Sequence, residues 1–271
     1  MSTGRDETFH ALHAGPAILV LPNAWDAASA ALMEDAGAKA VATSSAAMAW
    51  AHGYPDGDHL PARKLLAMIA EMARVITVPL TADIEGGYTE DLEVLSATIT
   101  AVVAAGAVGI NMEDGRRDPE LHARKVEAAR RAADRAGVKL FINARADVYL
   151  KHLAEGEAAL AEMLRRAELY RSAGANGFFA PGVHEPEVIA ALVRGVQLPL
   201  NIMGWPGVPV AAELEALGVR RVSSATGVFR AAYAQAIHAT TAFLHDGDAT
   251  ALAGMGEGVP NLNARFAPRT P

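Results

Sequence analysis

The chain has no cysteine among its 271 residues. That removes disulfides, thiolate metal sites and a cysteine nucleophile or base from consideration. Basic residues are also in deficit: 24 Lys and Arg against 31 Asp and Glu leave a net charge of −7. They occur in short pairs such as Arg116-Arg117 and Arg130-Arg131, never in runs. A nucleic-acid or anionic-membrane surface needs a basic patch, so neither is an expected partner. No uninterrupted apolar segment reaches the ~18 residues of a membrane span. The N-terminal stretch MSTGRDETFHALHAG has acids and histidines where a signal peptide carries its apolar core. A soluble, cytoplasmic protein is the expectation. No linker or composition shift divides the chain, so a single domain over residues 1–271 is expected. Its Pro-, Gly- and Asn-rich end, from about 245 to 271, would form a C-terminal arm.

What the chain does have is apolar material, 51% of residues, and a repeated grammar. "EDAGAKAVATSS" (34–45), "VAAGAVGINMED" (103–114), "DRAGVKLFINARAD" (134–147), "RSAGANGFFAPG" (171–182) and "EALGVRRVSSAT" (215–226) share it. In each, a helix ends, a glycine supplies a left-handed cap, and a short apolar strand follows. With further apolar runs at 18–23, 78–83 and 198–203, eight strands are expected, centred near residues 20, 43, 81, 111, 143, 179, 201 and 223. Helical periodicity fills the gaps. "TEDLEVLSATITAVVAAG" is the clearest case, with Thr89 as N-cap and Leu92, Leu95, Ile99, Val102 and Val103 as the apolar stripe. Strands that are apolar nearly throughout, alternating with helices, indicate a parallel sheet covered on its outside. Eight such units in about 250 residues fit a (β/α)8 barrel. A doubly wound sheet is the rival, but no G-x-G-x-x-G follows the first strand.

Residues two apart on a strand share a face, and barrel active sites gather where the strands end. On that spacing Thr81, Asp83 and Glu85 leave the third strand on one side, Asn111 and Glu113 leave the fourth, and Asn143, Arg145 and Asp147 leave the fifth. Asp56, in "HGYPDGD", reaches toward the same mouth. Convergent carboxylates need a positive charge between them. A hard cation with oxygen ligands supplies it, and Mg²⁺, with Mn²⁺ as the substitute, is the expected cofactor with Asp56, Asp83, Glu85 and Glu113 as its acids. Asp26 and Asp114 are expected to cap helices. Arg145 is the one cation at these strand ends, and its planar fork suits a carboxylate. Its other role would be an ion pair with Asp147 or Glu113. Ser44 and Ser45, small residues after the second strand, let a ligand carboxylate approach. The "GWPG" segment (204–207) lacks the paired glycines and hydroxyls of a phosphate cradle. No histidine pair has metal-ligand spacing.

With those residues in view, the chain resembles the isocitrate lyase/phosphoenolpyruvate mutase superfamily. "LPNAWDAASA", "TSS", "GYPDG", "TADIEGGY", "GINMEDG", "NARADVYL" and "ELEALGVRRVSSAT" carry the resemblance in order along most of the chain. It implies a (β/α)8 barrel, Mg²⁺, and tetramers in which a final helix swaps between neighbours. It also implies chemistry next to a 2-oxo acid through an enolate. By position Asp56, Asp83 and Glu113 match metal-site acids, Ser44 and Ser45 the carboxylate-binding segment, and Arg145 the substrate-binding arginine. Trp25 follows the first strand in "NAWD", and it and Asn201 on the seventh strand are further candidate substrate contacts. Two departures stand out. Thr81 occupies a position usually held by aspartate. The loop "EDGRRDPELHARK" (113–125) lacks the family's catalytic cysteine.

The expected activity is therefore Mg²⁺-dependent cleavage of a C–C bond in a small 2-oxo or 2-hydroxy carboxylate. Arg145, Glu113 and His122 are the catalytic candidates, and His52 and Arg116 are further candidate bases. Oxaloacetate decarboxylation needs no thiol and suits this sequence best. The alternatives are a phosphonate-acting enzyme and a non-catalytic 2-oxo acid binder.

Overall fold

The computed structural model describes residues 4–267. In chain order its elements are α1 (Arg5–Ala14), β1 (Leu19–Leu21), β2 (Asn23–Ala24), α2 (Ala27–Asp35), β3 (Val41–Thr43), α3 (Ser45–Ala51), α4 (Ala62–Val75), β4 (Leu80–Asp83), α5 (Leu92–Ala104), β5 (Gly109–Glu113) and α6 (Pro119–Arg135). There follow β6 (Phe141–Arg145), α7 (Gly156–Ser172), β7 (Gly177–Ala180), α8 (Pro186–Gly195), β8 (Leu200–Met203), α9 (Ala211–Leu217) and β9 (Arg221–Ser223). The C-terminal helices are α10 (Gly227–Asp246), α11 (Thr250–Met255) and α12 (Leu262–Phe266).

All the strands are parallel, and the sheet runs β1-β9-β8-β7-β6-β5-β4-β3-β2. The two ends of that order are adjacent pieces of one expected strand. Pro22 separates them: it has no N–H for the ladder, yet its carbonyl still accepts from Ala42 N at 2.9 Å. β1 pairs with β9 and β2 with β3, so the eight expected strands close into a (β/α)8 barrel. The five glycines read as helix stops, Gly37, Gly106, Gly137, Gly174 and Gly218, all have φ between 72° and 106°. That is the left-handed region an L side chain resists.

The barrel interior is layered by chemistry. At the strands' N-terminal end α1 inserts Phe9 into an apolar cluster with Leu19, Leu21, Ala40, Ala42 and Phe141. Above it lies a buried polar layer of Thr81, Asn111, Asn143, Asn201, Arg221 and Ser223. Outside, α5 buries Leu95, Ile99 and Val102 of its expected stripe, but its N-cap is Asp91 rather than Thr89. The Asp91 carboxylate accepts from the backbone of Glu93 and Val94 and so takes up the first free N–H groups.

The chain divides into two compact units, residues 1–226 and 227–271. The second unit begins with α10, and residues 268–271 of the expected C-terminal arm lie outside the described residues. No helix among the described residues is long and apolar enough to cross a membrane.

Candidate active site

A cavity of about 520 Å³ opens at the C-terminal ends of the strands. Ser44, Ser45, Asp56, Asp83 and Arg145 of the expected set line it, together with Asn23, Asn111, Tyr149, His152, Phe179, His184, Met203, Trp205 and Ser223. Asp83, the last residue of β4, is on its wall. Ser45 donates its hydroxyl to Asp83 Oδ2 at 3.0 Å, and Glu85 N donates to Oδ1 at 3.2 Å. Burial raises the Asp83 pKa, while the nearby Arg145 charge opposes the rise.

Arg145 ends β6 beside it. The guanidinium fork grips Asp147 through Nε at 2.6 Å and Nη2 at 3.1 Å, and Nη1 lies 2.6 Å from Glu113 Oε2. Both expected ion pairs therefore form. Burial lifts the Glu113 carboxyl above its ordinary range against the pull of Arg145. Asp147 is fixed in turn by its N–H to Asp114 Oδ1 at 2.9 Å. Asp114 caps no helix: its other oxygen accepts from Arg166 and Tyr170 at 2.8 and 2.6 Å. Asp26, by contrast, caps α2 in a reciprocal box with Ser29.

Seven candidate residues stand off the cavity wall. Glu85 is turned away because β4 ends at Asp83 and Glu85 itself has φ of 50°, so the period-two spacing fails. Its carboxylate accepts from Asp58 N and from Tyr88 OH at 3.2 Å instead, and burial raises its pKa to about 7. Glu113 sits behind Arg145. Trp25 is half-buried at the start of α2, its N–H donating to Ser29 Oγ at 3.1 Å. Asn201 is buried below the cavity in the barrel interior. His122 lies on the inner side of α6, edge-on to Tyr170 at 4.6 Å, with its pKa depressed to about 3 by burial. The ring is neutral at neutral pH and does not line the cavity. His52 bonds to Met48 O, and Arg116 reaches the backbone of Lys151. Besides Asp56, Asp83 and Arg145, the titratable side chains that line the cavity are Tyr149, His152 and His184. They sit in loops after β6 and β7, where strand spacing carries no information. His152 has φ of 50°, a strained conformation of the kind that accumulates at functional sites.

Among the described residues no three His, Asp or Glu side chains form a direct cage for a metal ion. The four expected acids are not one ligand set, since Glu85 faces elsewhere and Glu113 is held by Arg145. The donors present, Asp83 with Asp56 on the same wall, fit an ion that takes one or two carboxylates and keeps its other ligands as water or substrate oxygen. Mg²⁺ has that habit.

A family model described as phosphoenolpyruvate phosphomutase matches residues 9–244. The chain belongs to that family. Its fold neighbours include members of the phosphoenolpyruvate mutase/isocitrate lyase superfamily, a group of lyases and mutases. A Burkholderia cenocepacia J2315 structure, provisionally described as a phosphonomutase, is 39% identical with a TM-score of 0.83, covering 90% of this chain and 100% of that one. An oxaloacetate decarboxylase from Bradyrhizobium sp. strain BTAi1 is 27% identical over 252 residues, 90% of this chain and 86% of that one. A phosphonopyruvate hydrolase solved with oxalate and Mg²⁺ shares the fold at a TM-score of 0.85 and 24% identity, over 97% of this chain and 95% of that one. The cavity has no thiol, and Arg145 is the single Lys or Arg among its described wall residues.

Proposed function

We propose that the protein is an Mg²⁺-dependent lyase that breaks a C–C bond in a small 2-oxo or 2-hydroxy carboxylate, with oxaloacetate decarboxylation as the reaction best suited to its residues. The observation that carries this is the juxtaposition of Asp83 and the Arg145 guanidinium on the wall of one cavity at the strand ends. Bound there by Asp83, with Asp56 holding its water, Mg²⁺ would supply Lewis-acid charge at the carbonyl beside the breaking bond. Ser44 and Ser45 hold the carboxylate next to that carbonyl. Three of the five guanidinium N–H groups of Arg145 face Asp147 and Glu113, and the remaining two take the distal carboxylate. As the bond to the departing CO₂ breaks, its electron pair passes into an enolate, and a proton delivered to carbon completes pyruvate. Tyr149 and His152 are placed to deliver it. The apolar wall of Phe179, Met203 and Trp205 limits water at the reacting carbons.

The family description and the Burkholderia relative favour a second reading, cleavage or rearrangement of a C–P bond. A phosphonate brings an extra negative charge, and Arg145 is a sparse complement for it. A panel of oxaloacetate, isocitrate, 2-methylisocitrate and phosphonopyruvate, with Mg²⁺ or with chelator, separates these. The expected result is Mg²⁺-dependent release of pyruvate from oxaloacetate, lost in Asp83→Asn. Turnover of phosphonopyruvate alone would overturn the C–C assignment, and tight binding of these acids without turnover would make the protein a binder.

A further inference from the structure

Arg221 is an unusual residue for the inside of a barrel. It is 1% exposed, and among the described residues no carboxylate lies within ion-pair distance of it. Burial lowers its pKa only to about 9, so it is a cation at neutral pH, favoured by the field of Asp83. Its one hydrogen bond runs from Nη2 to Asn111 Oδ1 at 3.2 Å, while Nε and Nη1 have no protein partner. Asn143 Nδ2 donates to the same oxygen at 2.9 Å.

An arginine can only donate, so the oxygen of Asn111 must face it. A flip of the amide would set Nδ2 against a buried cation and against a second donor. The Asn111 amide is therefore locked with its nitrogen on the other side. Asn111 lines the cavity and pairs in register with Asp83, which lines it too. A donor held rigidly in that place costs no reorganisation when charge develops on a ligand oxygen beside it. Withdrawal of electron density through Oδ1 by Arg221 strengthens Nδ2–H as a donor.

From this we infer that Asn111 Nδ2 is the hydrogen-bond donor to the oxygen that becomes the enolate, and that Arg221 is the positioning residue that fixes it from beneath the cavity. The inference rests on the enolate chemistry proposed above. It assigns to the barrel floor a cation that the strand pattern "VRRVSS" otherwise leaves without purpose.

The test compares two ligands in the presence of Mg²⁺ by calorimetry: oxalate, whose charged oxygens mimic the enolate, and pyruvate, whose keto oxygen is neutral. Asn111→Asp keeps the acceptor for Arg221 and Asn143 but replaces the donor with an oxygen. It should hold or raise Tm, because Arg221 gains a carboxylate partner, while oxalate affinity falls about 100-fold. Arg221→Met should weaken oxalate about tenfold and pyruvate much less, since a freed amide still donates part of the time. Arg221→Lys should recover part of the oxalate affinity. Asn111→Asp binding oxalate like the unaltered protein would overturn the inference alone, as would an Arg221→Met variant that loses both ligands equally. Failure of the unaltered protein to bind oxalate with Mg²⁺ would overturn the enolate reading as well.

Discussion

Arg145 shows how one side chain serves stability and binding together. Three of its N–H groups face Asp147 and Glu113, the nearest contact to each at 2.6 Å, and both carboxyl groups are largely buried. Arg145→Met should therefore strand two carboxyl groups, costing about 3–5 kcal/mol of stability. It should also weaken a dicarboxylate ligand more than tenfold, because a charge-assisted contact is worth roughly 1.5–3 kcal/mol. Adding Glu113→Gln should restore part of the stability and none of the affinity. Denaturant titration and ligand titration on the same two variants check this; affinity returning with stability would confine Arg145 to structure. His13 is a different case. Its ring stacks on Phe141 at 3.9 Å and its Nδ1 lies 2.8 Å from Phe9 O. Burial, and then the charge of Arg221, depress its pKa from 6.5 to about 3. The unfolded chain takes a proton near pH 6.5 that the folded chain refuses until about pH 3. Stability from this residue is thus complete above pH 6.5 and is lost as pH falls, at up to about 1.4 kcal/mol per pH unit. His13→Phe should flatten the decline of Tm between pH 6.5 and 4, and an unchanged slope would remove His13 from the account.

At the scale of elements, strands of two to five residues leave little room between the apolar floor and the cavity. β5 shows the crowding. A Cβ on Gly109 would lie 2.6 Å from the Phe9 ring and 2.8 Å from Thr81 Oγ1. The strand can pass α1 at that level only without a side chain. Gly109→Ala should cost about 1–3 kcal/mol by overpacking. Phe9→Leu in the same chain should return part of it, a coupling that thermal melts of the single and double variants would reveal. Equal, additive losses would mean that α1 does not press on β5. The end of β4 carries the opposite lesson. Asp58, Glu85 and Tyr88 all have left-handed φ, between 50° and 61°, and bond to one another. That strained turn takes Glu85 away from the cavity and leaves Asp83 and Asp56 as the carboxylates on its wall.

For the whole molecule, the open matter is assembly. Within the second unit, α10 buries Phe229 but exposes Tyr233, Phe243, Ile237 at 67% and Leu244 at 77%. Large apolar side chains gathered on one helix mark an interaction surface. We propose that the chain forms a homo-oligomer through α10, with a tetramer as the expected state. Sedimentation should show one, and Ile237→Glu with Leu244→Glu should reduce its mass without loss of far-UV helix signal. A stable monomer of the unaltered chain at micromolar concentration would sink the proposal.

The sequence by itself determined the barrel, because glycine stops and apolar strand runs are local signals set by backbone sterics and periodicity. At the strand ends proper, Asp83 and Arg145 line the cavity as alternation predicts, whereas Glu113, the last residue of β5, is held by Arg145 off its wall. Two steps past the end the rule failed, since Glu85 has left the strand conformation. His122 was misplaced for a related reason. Its position along α6 decides whether its ring meets solvent or Tyr170, and only packing sets that. Tyr149, His152 and His184 come from loops, whose course depends on the elements they bridge. The meeting of Arg221 with Asn111, 110 residues apart, belongs to tertiary structure alone. Closing the barrel brings their strands' side chains into one buried layer, and there a lone cation must find whatever acceptor the fold provides.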